Sequence, residues 1–97
     1  MDKIRILLAD DHLILREGIR SLLQRLPDIE VVGEADDGEE AVAKVDQTVP
    51  DVVLMDITMP KLNGPEATRR IKAKHPEIKV LILTIHDSGE YLAEMLQ

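Results

Sequence analysis

The sequence predicts an α/β fold, a doubly wound parallel sheet with strand order 2-1-3-4. Three observations carry that expectation. Short apolar runs rich in β-branched residues alternate with segments of helical period, so strands and helices take turns along the chain. The connections are short, which favours right-handed crossovers and a sheet covered on both faces. Two of the apolar runs end directly on carboxylates: Ile4 to Ala9 on Asp10 and Asp11, and Val52 to Met55 on Asp56. Acids at the C-terminal ends of strands lie where open α/β sheets bind their ligands.

Each element follows in order. The first strand is Ile4 to Ala9. A helix from about His12 to Leu26 sets Leu15, Ile19, Leu22 and Leu26 on one face, and Pro27-Asp28 breaks it. The second strand is about Glu30 to Ala35. Asp37 reads as an N-cap with Glu40 three residues on, opening a helix whose Ala41 and Val45 face inward. Pro50 closes that connection and the third strand runs from Asp51 to Asp56. The loop Ile57 to Asn63 leads to Gly64-Pro65, where Pro65 suits a first helical turn and Ala67 and Ile71 mark the inner face. Ahead of the fourth strand, Ile78 to Thr84, Pro76 ends this helix. Asp87 with Glu90 caps a last helix carrying Leu92, Met95 and Leu96. Once the strand order reverses after the second strand, the first and third strands flank the switch point.

Composition narrows the function classes. The chain has 97 residues, the length of one domain, and its 44% hydrophobic content includes a single aromatic, Tyr91, so the core must be aliphatic. Nineteen acidic residues against 12 basic ones give a net charge of −7, which argues against direct nucleic-acid binding. The absence of cysteine excludes disulfides, thiolate catalysis and zinc–thiolate sites. No apolar run approaches the roughly 18 residues that span a bilayer, and Met1-Asp2-Lys3 does not open a signal peptide. A cytoplasmic domain without membrane partners is expected.

Three acids at one crevice repel one another by several kcal/mol in a partly desolvated site unless a cation or proton offsets them. A hard divalent ion with oxygen ligands is the simplest solution, and phosphate chemistry is the usual reason to keep one. Gly64 is expected to serve backbone geometry, Met59 to pack beneath its loop with Pro60 shaping it, and Asp36-Asp37-Gly38 to form a turn. His12, His75 and His86 are expected to be solvated or capping rather than metal ligands. Arg69, Arg70, Lys72 and Lys74 read as a solvated helix face.

Asp10-Asp11-His12, then Asp56-Ile57-Thr58-Met59-Pro60-Lys61-Leu62-Asn63-Gly64, then Leu83-Thr84 together resemble the receiver domain of bacterial two-component response regulators. The resemblance covers the whole chain. Leu83 to Asp87 and Arg16-Glu17-Gly18 look most like the subgroup with a C-terminal helix-turn-helix domain of the LuxR/FixJ/NarL type. It implies a flavodoxin-like fold, with Asp56 as phosphoacceptor for a sensor histidine kinase. It also implies Mg2+ held by Asp11, Asp56 and the Thr58 backbone carbonyl, with Asp10 acting through a water. Thr84 matches the family's switch hydroxyl, followed by Ile85. Implied output is transcription, controlled by a DNA-binding domain outside this sequence.

The sequence departs from that family at its end. Residues 1–97 read as one receiver domain, C-terminally incomplete, without the fifth strand, its terminal lysine and the fifth helix. That lysine contacts the incoming phosphoryl group in the family. Strand 4 then becomes an apolar edge expected to pair with, or exchange into, a second copy of the chain. Two other readings compete: a receiver-like dimerisation module that is not phosphorylated, and a Mg2+-dependent phosphatase. The phosphatase reading expects Asp-x-Asp after the first strand, whereas here the paired acids are adjacent. A flavin carrier would need a Ser/Thr/Gly-rich phosphate loop where Asp11-His12-Leu13-Ile14 stands. Turnover enzymology is not expected.

Overall fold

The computed structural model describes residues 3–57, 59 and 61–83. Strands and helices alternate through them as β1 (Ile4–Ala9), α1 (Leu13–Gln24), β2 (Ile29–Ala35), α2 (Gly38–Thr48), β3 (Val52–Asp56), α3 (Gly64–Lys74) and β4 (Lys79–Leu83). The strands form one parallel sheet in the order β2-β1-β3-β4, the predicted topology. The helix expected to follow Asp87 lies outside the described residues, as do Thr58, Pro60, Thr84 and Ile85.

The sheet's pleat divides the inner strands between two faces. Leu7, Ala9, Val53 and Met55 are buried and join Ala41 and Val45 of α2 and Ala67 and Ile71 of α3 in one aliphatic core. Each fully buried Val, Leu, Ile or Met contributes about 1.5–3 kcal/mol relative to exposure, so a core without aromatics is sufficient here. On the opposite face, Leu8 and Leu54 line a small cavity together with Arg16 and Ile19 of α1.

The orientation of α1 differs from the sequence expectation. Leu22 is 63% exposed and Leu26 49%, while the buried residue of the helix is Arg16. The half-buried positions are Leu15, Ile19, Arg20 and Leu23. The inward face is therefore offset from the expected stripe by roughly 60° of helix rotation, with Leu15 and Ile19 common to both. The cause is polar: the Arg16 guanidinium finds acceptors at the ends of β1 and β2. An apolar period could not reveal a face chosen by an arginine.

Helix starts follow the sequence closely. The Asp37 carboxylate accepts the Glu40 N–H at 2.8 Å, the expected cap. Asn63 accepts the Glu66 N–H at 2.9 Å, with Pro65 in the first turn of α3. Helix α2 ends less comfortably, on Val49 in the left-handed region at φ 44°. That conformation costs an L-residue about 1–2 kcal/mol, and a β-branched side chain suits it poorly. Val49→Gly is expected to stabilise the fold by about 0.5–1 kcal/mol after glycine's extra chain entropy is counted. Urea unfolding would show this as a raised midpoint; an unchanged or lowered one would contradict the strain.

Helices α2 and α3 are tied at their C-terminal ends. Asp46 accepts from His75 Nε2 at 3.0 Å and from Lys74 Nζ at 3.2 Å. These hydrogen bonds, His75's first, hold the Asp46 carboxyl below its ordinary value of 3.8. A depressed folded-state pKa means the contribution is present above the unfolded value and is lost as pH falls through the folded one. Asp46→Asn should therefore be less stable than the native chain at neutral pH, the gap closing below about pH 4. Thermal melts across pH would show convergence; a constant gap would contradict it.

Candidate functional site

Register builds the site. Ala9 of β1 pairs with Met55 of β3, so the next residues, Asp10 and Asp56, leave adjacent strands side by side. Both are buried, at 6% and 7% exposure, whereas Asp11 is exposed. Ligand atoms of Asp10, Asp11, His12 and Asp56 all lie within 4.8 Å of one another. The three acids expected to converge do converge.

His12 keeps the solvated cap position expected of it and adds contacts to the acids. It occupies the N-cap position of α1 with its side chain 62% exposed, while one ring nitrogen reaches the acidic cluster. Nδ1 lies 2.8 Å from Asp10 Oδ1, 3.2 Å from Asp11 Oδ1 and 3.6 Å from Asp56 Oδ2. The Asp10 hydrogen bond and charge, followed by the charges of Asp11 and Asp56, raise the imidazole pKa above 6.5 against the opposing effect of burial. The ring thus stands where a cation would balance three carboxylates. The signal was local: Asp10 Oδ1 also accepts the His12 N–H at 2.8 Å, the two-residue turn that Asp at a strand end favours.

The donor chemistry suits a hard ion. Three convergent carboxylates, two of them mostly withdrawn from water, match the oxygen-rich sets that bind Mg2+ through few protein ligands plus waters. An imidazole nitrogen is a poor ligand for such an ion. His12 fits the role of a positively charged partner to the acids better than that of a ligand.

The loop after β3 is braced from two sides. Met59 and Leu62 are buried in the core, Met59 as expected. Lys61 adopts φ 68°, and its Nζ lies 3.6 Å from Asp37 Oδ2. Gly38, more than a turn residue, is the first residue of α2; a Cβ there would lie 1.9 Å from the Leu62 carbonyl oxygen. Gly64 has no positive φ. It is required for space, because a Cβ would stand 2.4 Å from the Asp56 carbonyl oxygen, and its N–H donates to Ile57 O at 3.0 Å. Two glycines therefore let backbone touch backbone around the acid-bearing loop. Sequence alone marks such glycines but not the carbonyls they face.

Of the residues the sequence assigned to this site, Asp10, Asp11, Asp56 and Gly64 are brought together; Thr58, Pro60, Thr84 and Ile85 lie outside the described residues. A cavity of about 410 Å³ lies at the other end of the sheet, lined by Ile4, Val49, Pro50, Asp51, Glu77 and Lys79 among others. It shares no residue with the acidic cluster and collects no comparable set of acids. Among the described residues, no helix is long and apolar enough to cross a membrane.

Comparison with known proteins agrees with this geometry. The family described as response regulator receiver domain matches residues 6–97. The chain is 48% identical over 96 residues to the transcriptional regulatory protein DegU of Brevibacillus brevis, covering 99% of this chain and 41% of that protein. Among solved structures it is similar to the receiver domain of the response regulator NarL from Mycobacterium tuberculosis. There the TM-score is 0.84 at 33% identity, covering 100% of this chain and 78% of that one. A LuxR-family two-component response regulator from Aurantimonas matches at TM-score 0.83 and 41% identity, over 98% of this chain and 68% of that one. The chain spans about two fifths of the length of the curated relatives it matches. With sheet order, register and sequence in agreement, the chain belongs to the receiver domain family of two-component response regulators, which are signalling proteins.

Proposed function

We propose that residues 1–97 form a receiver domain that is phosphorylated on Asp56, with Mg2+ as cofactor and a sensor histidine kinase as phosphodonor. The observation that carries this reading is the convergence of Asp10, Asp11 and Asp56 within 4.8 Å, with Asp56 buried at the end of an inner strand. Asp11 and Asp56, with the Thr58 backbone carbonyl, would hold the ion directly and Asp10 through a water. Bound there, it supplies neutralisation of phosphoryl charge. An Asp56 carboxylate oxygen attacks phosphorus; the new O–P bond forms as the P–N bond of the kinase phosphohistidine breaks. The departing imidazole keeps the electron pair and takes up a proton.

Thr84 and Ile85 are the residues proposed to report the modification, since a phosphoryl group adds negative charge and acceptor oxygens that can bias a nearby loop. Pro60 and Gly64 set the loop's shape. The output proposed is transcriptional, through a DNA-binding domain outside this sequence, in the cytoplasm. The names of relatives as transcriptional regulators support that reading.

The test is incubation of the chain with a small-molecule phosphodonor, with and without Mg2+, alongside Asp56→Asn. Metal-dependent phosphate that is acid-stable, base-labile and absent from the variant is expected. Metal uptake without phosphate would favour a receiver-like module that works by docking alone. Continuous hydrolysis of diverse phosphate esters would favour a phosphatase.

A second copy of the chain is also proposed as a partner. Among the described residues β4 is the last strand of the sheet on its side, and Leu81 is 55% exposed. An apolar strand in that position invites pairing. Light scattering across a concentration series should show self-association; a stable monomer at high concentration would contradict it.

A further inference from the structure

Arg16 is the buried residue of α1 and stands outside the acid set. Its Nη1 donates to the Asp10 carbonyl at 2.9 Å, to the Ala35 carbonyl at 3.0 Å and to the Asp36 carboxylate. Its Nε donates to Glu34 Oε1 at 2.9 Å. Burial opposes the guanidinium charge, but the Asp36 and Glu34 contacts outweigh it and hold the group firmly protonated. As packing alone this is a poor choice, since an apolar side chain of similar volume packs a helix on a sheet at least as well. What the arginine adds is fixed geometry.

That geometry converges on one peptide. The Asp10 N–H donates to the Ala35 carbonyl at 3.1 Å, the same oxygen that Arg16 grips. Asp10 Oδ1 accepts the His12 N–H. With its carbonyl held by Arg16 as well, Asp10 is anchored at backbone nitrogen, backbone oxygen and side chain. The peptide from Asp10 to Asp11 is planar, so fixing the Asp10 oxygen fixes the direction in which Asp11 leaves. Asp11 is exposed, and its aim depends on the backbone that carries it.

We propose that Arg16 is a positioning residue for the acid pair: by holding the Asp10 carbonyl, it aims Asp11 into the cation site and sets Mg2+ affinity without touching the ion. This rests on the Mg2+ reading given above. Electrostatics and positioning predict opposite signs here. Arg16 is a positive charge near a cation site, so its removal by charge alone should tighten Mg2+. Loss of positioning should weaken it, by about tenfold, the low end of the effect for groups that orient metal ligands.

The test is Mg2+ titration of the full chain by NMR, at a temperature where every variant is folded. Native chain, Arg16→Met, Arg16→Lys and Val45→Ala are compared, the last because Val45 is a core residue of α2 outside the acid set. Arg16→Met is expected to weaken Mg2+ about tenfold. Arg16→Lys, which keeps the charge but loses the planar fork, should weaken it in the same direction. Val45→Ala should lower Tm and leave Mg2+ affinity unchanged. Unchanged or tightened binding in Arg16→Met overturns the proposal, as does equal weakening in Val45→Ala. If Arg16→Met does not fold, Arg16→Lys decides on the same criterion. Absence of saturable Mg2+ uptake by the native chain is a separate result, overturning the metal reading and the proposal with it.

Discussion

Gly38→Ala is expected to destabilise the fold by about 3 kcal/mol, the upper range for overpacking, because neither partner in the clash is a movable side chain. The added methyl would stand 1.9 Å from the Leu62 carbonyl oxygen and 2.7 Å from its carbon. Relief requires α2 to separate from the loop that carries Leu62 and leads back to Asp56. For a domain of this size the loss corresponds to a Tm drop of roughly 12–24 °C. Gly18→Ala is the matched control: it lies within α1 with nothing within 4 Å of its added carbon. There the substitution should stabilise by about 0.5–1 kcal/mol through helix propensity. Circular-dichroism melts of the two variants should move in opposite directions. A Gly38→Ala melt close to that of the native chain would mean the loop does not rest on α2 as described.

Asp56→Asn should make the metal-free fold more stable while abolishing phosphate incorporation. Asp56 is 7% exposed, and its carboxylate shares a 4.8 Å cluster with Asp10 and Asp11. His12 offsets part of the resulting repulsion, with Nδ1 closest to Asp10 and furthest from Asp56. Neutralising Asp56 removes like-charge repulsion and the cost of burying a carboxylate, and about 1–2 kcal/mol of added stability is expected. Denaturant unfolding in chelator-containing buffer measures it. The same change removes the only oxygen nucleophile proposed for phosphorus, so incorporation should fall below detection. A variant less stable than the native chain without metal would show that the three acids do not strain the fold.

Much of this is legible in the sequence. Strand runs such as Ile4 to Ala9 and caps such as Asp37 with Glu40 are local signals, and the topology follows from their alternation. Placement of Asp10, Asp11 and Asp56 at one crevice follows because acids ending adjacent parallel strands have nowhere else to go. What escaped depends on distant partners. On the inward face of α1, Arg16 reaches acceptors about 20 residues away at and just past the end of β2, which no hydrophobic period records. The His12 ring keeps the solvated position natural for a helix cap and also reaches three carboxylates, one of them Asp56 on another strand. Gly38 and Gly64 matter through carbonyls on other segments, a spacing set by the fold and not by local sequence.

The tips of β1 and β3 are proposed to form one cation site around Asp56. Its most direct test is a Mg2+ titration of the native chain followed by amide chemical shifts, with a sodium control at matched ionic strength. Saturable one-site shifts centred on residues 9–12 and 55–64, lost in Asp11→Asn, are predicted. Shifts that drift without saturating, or that match the sodium control, would contradict it.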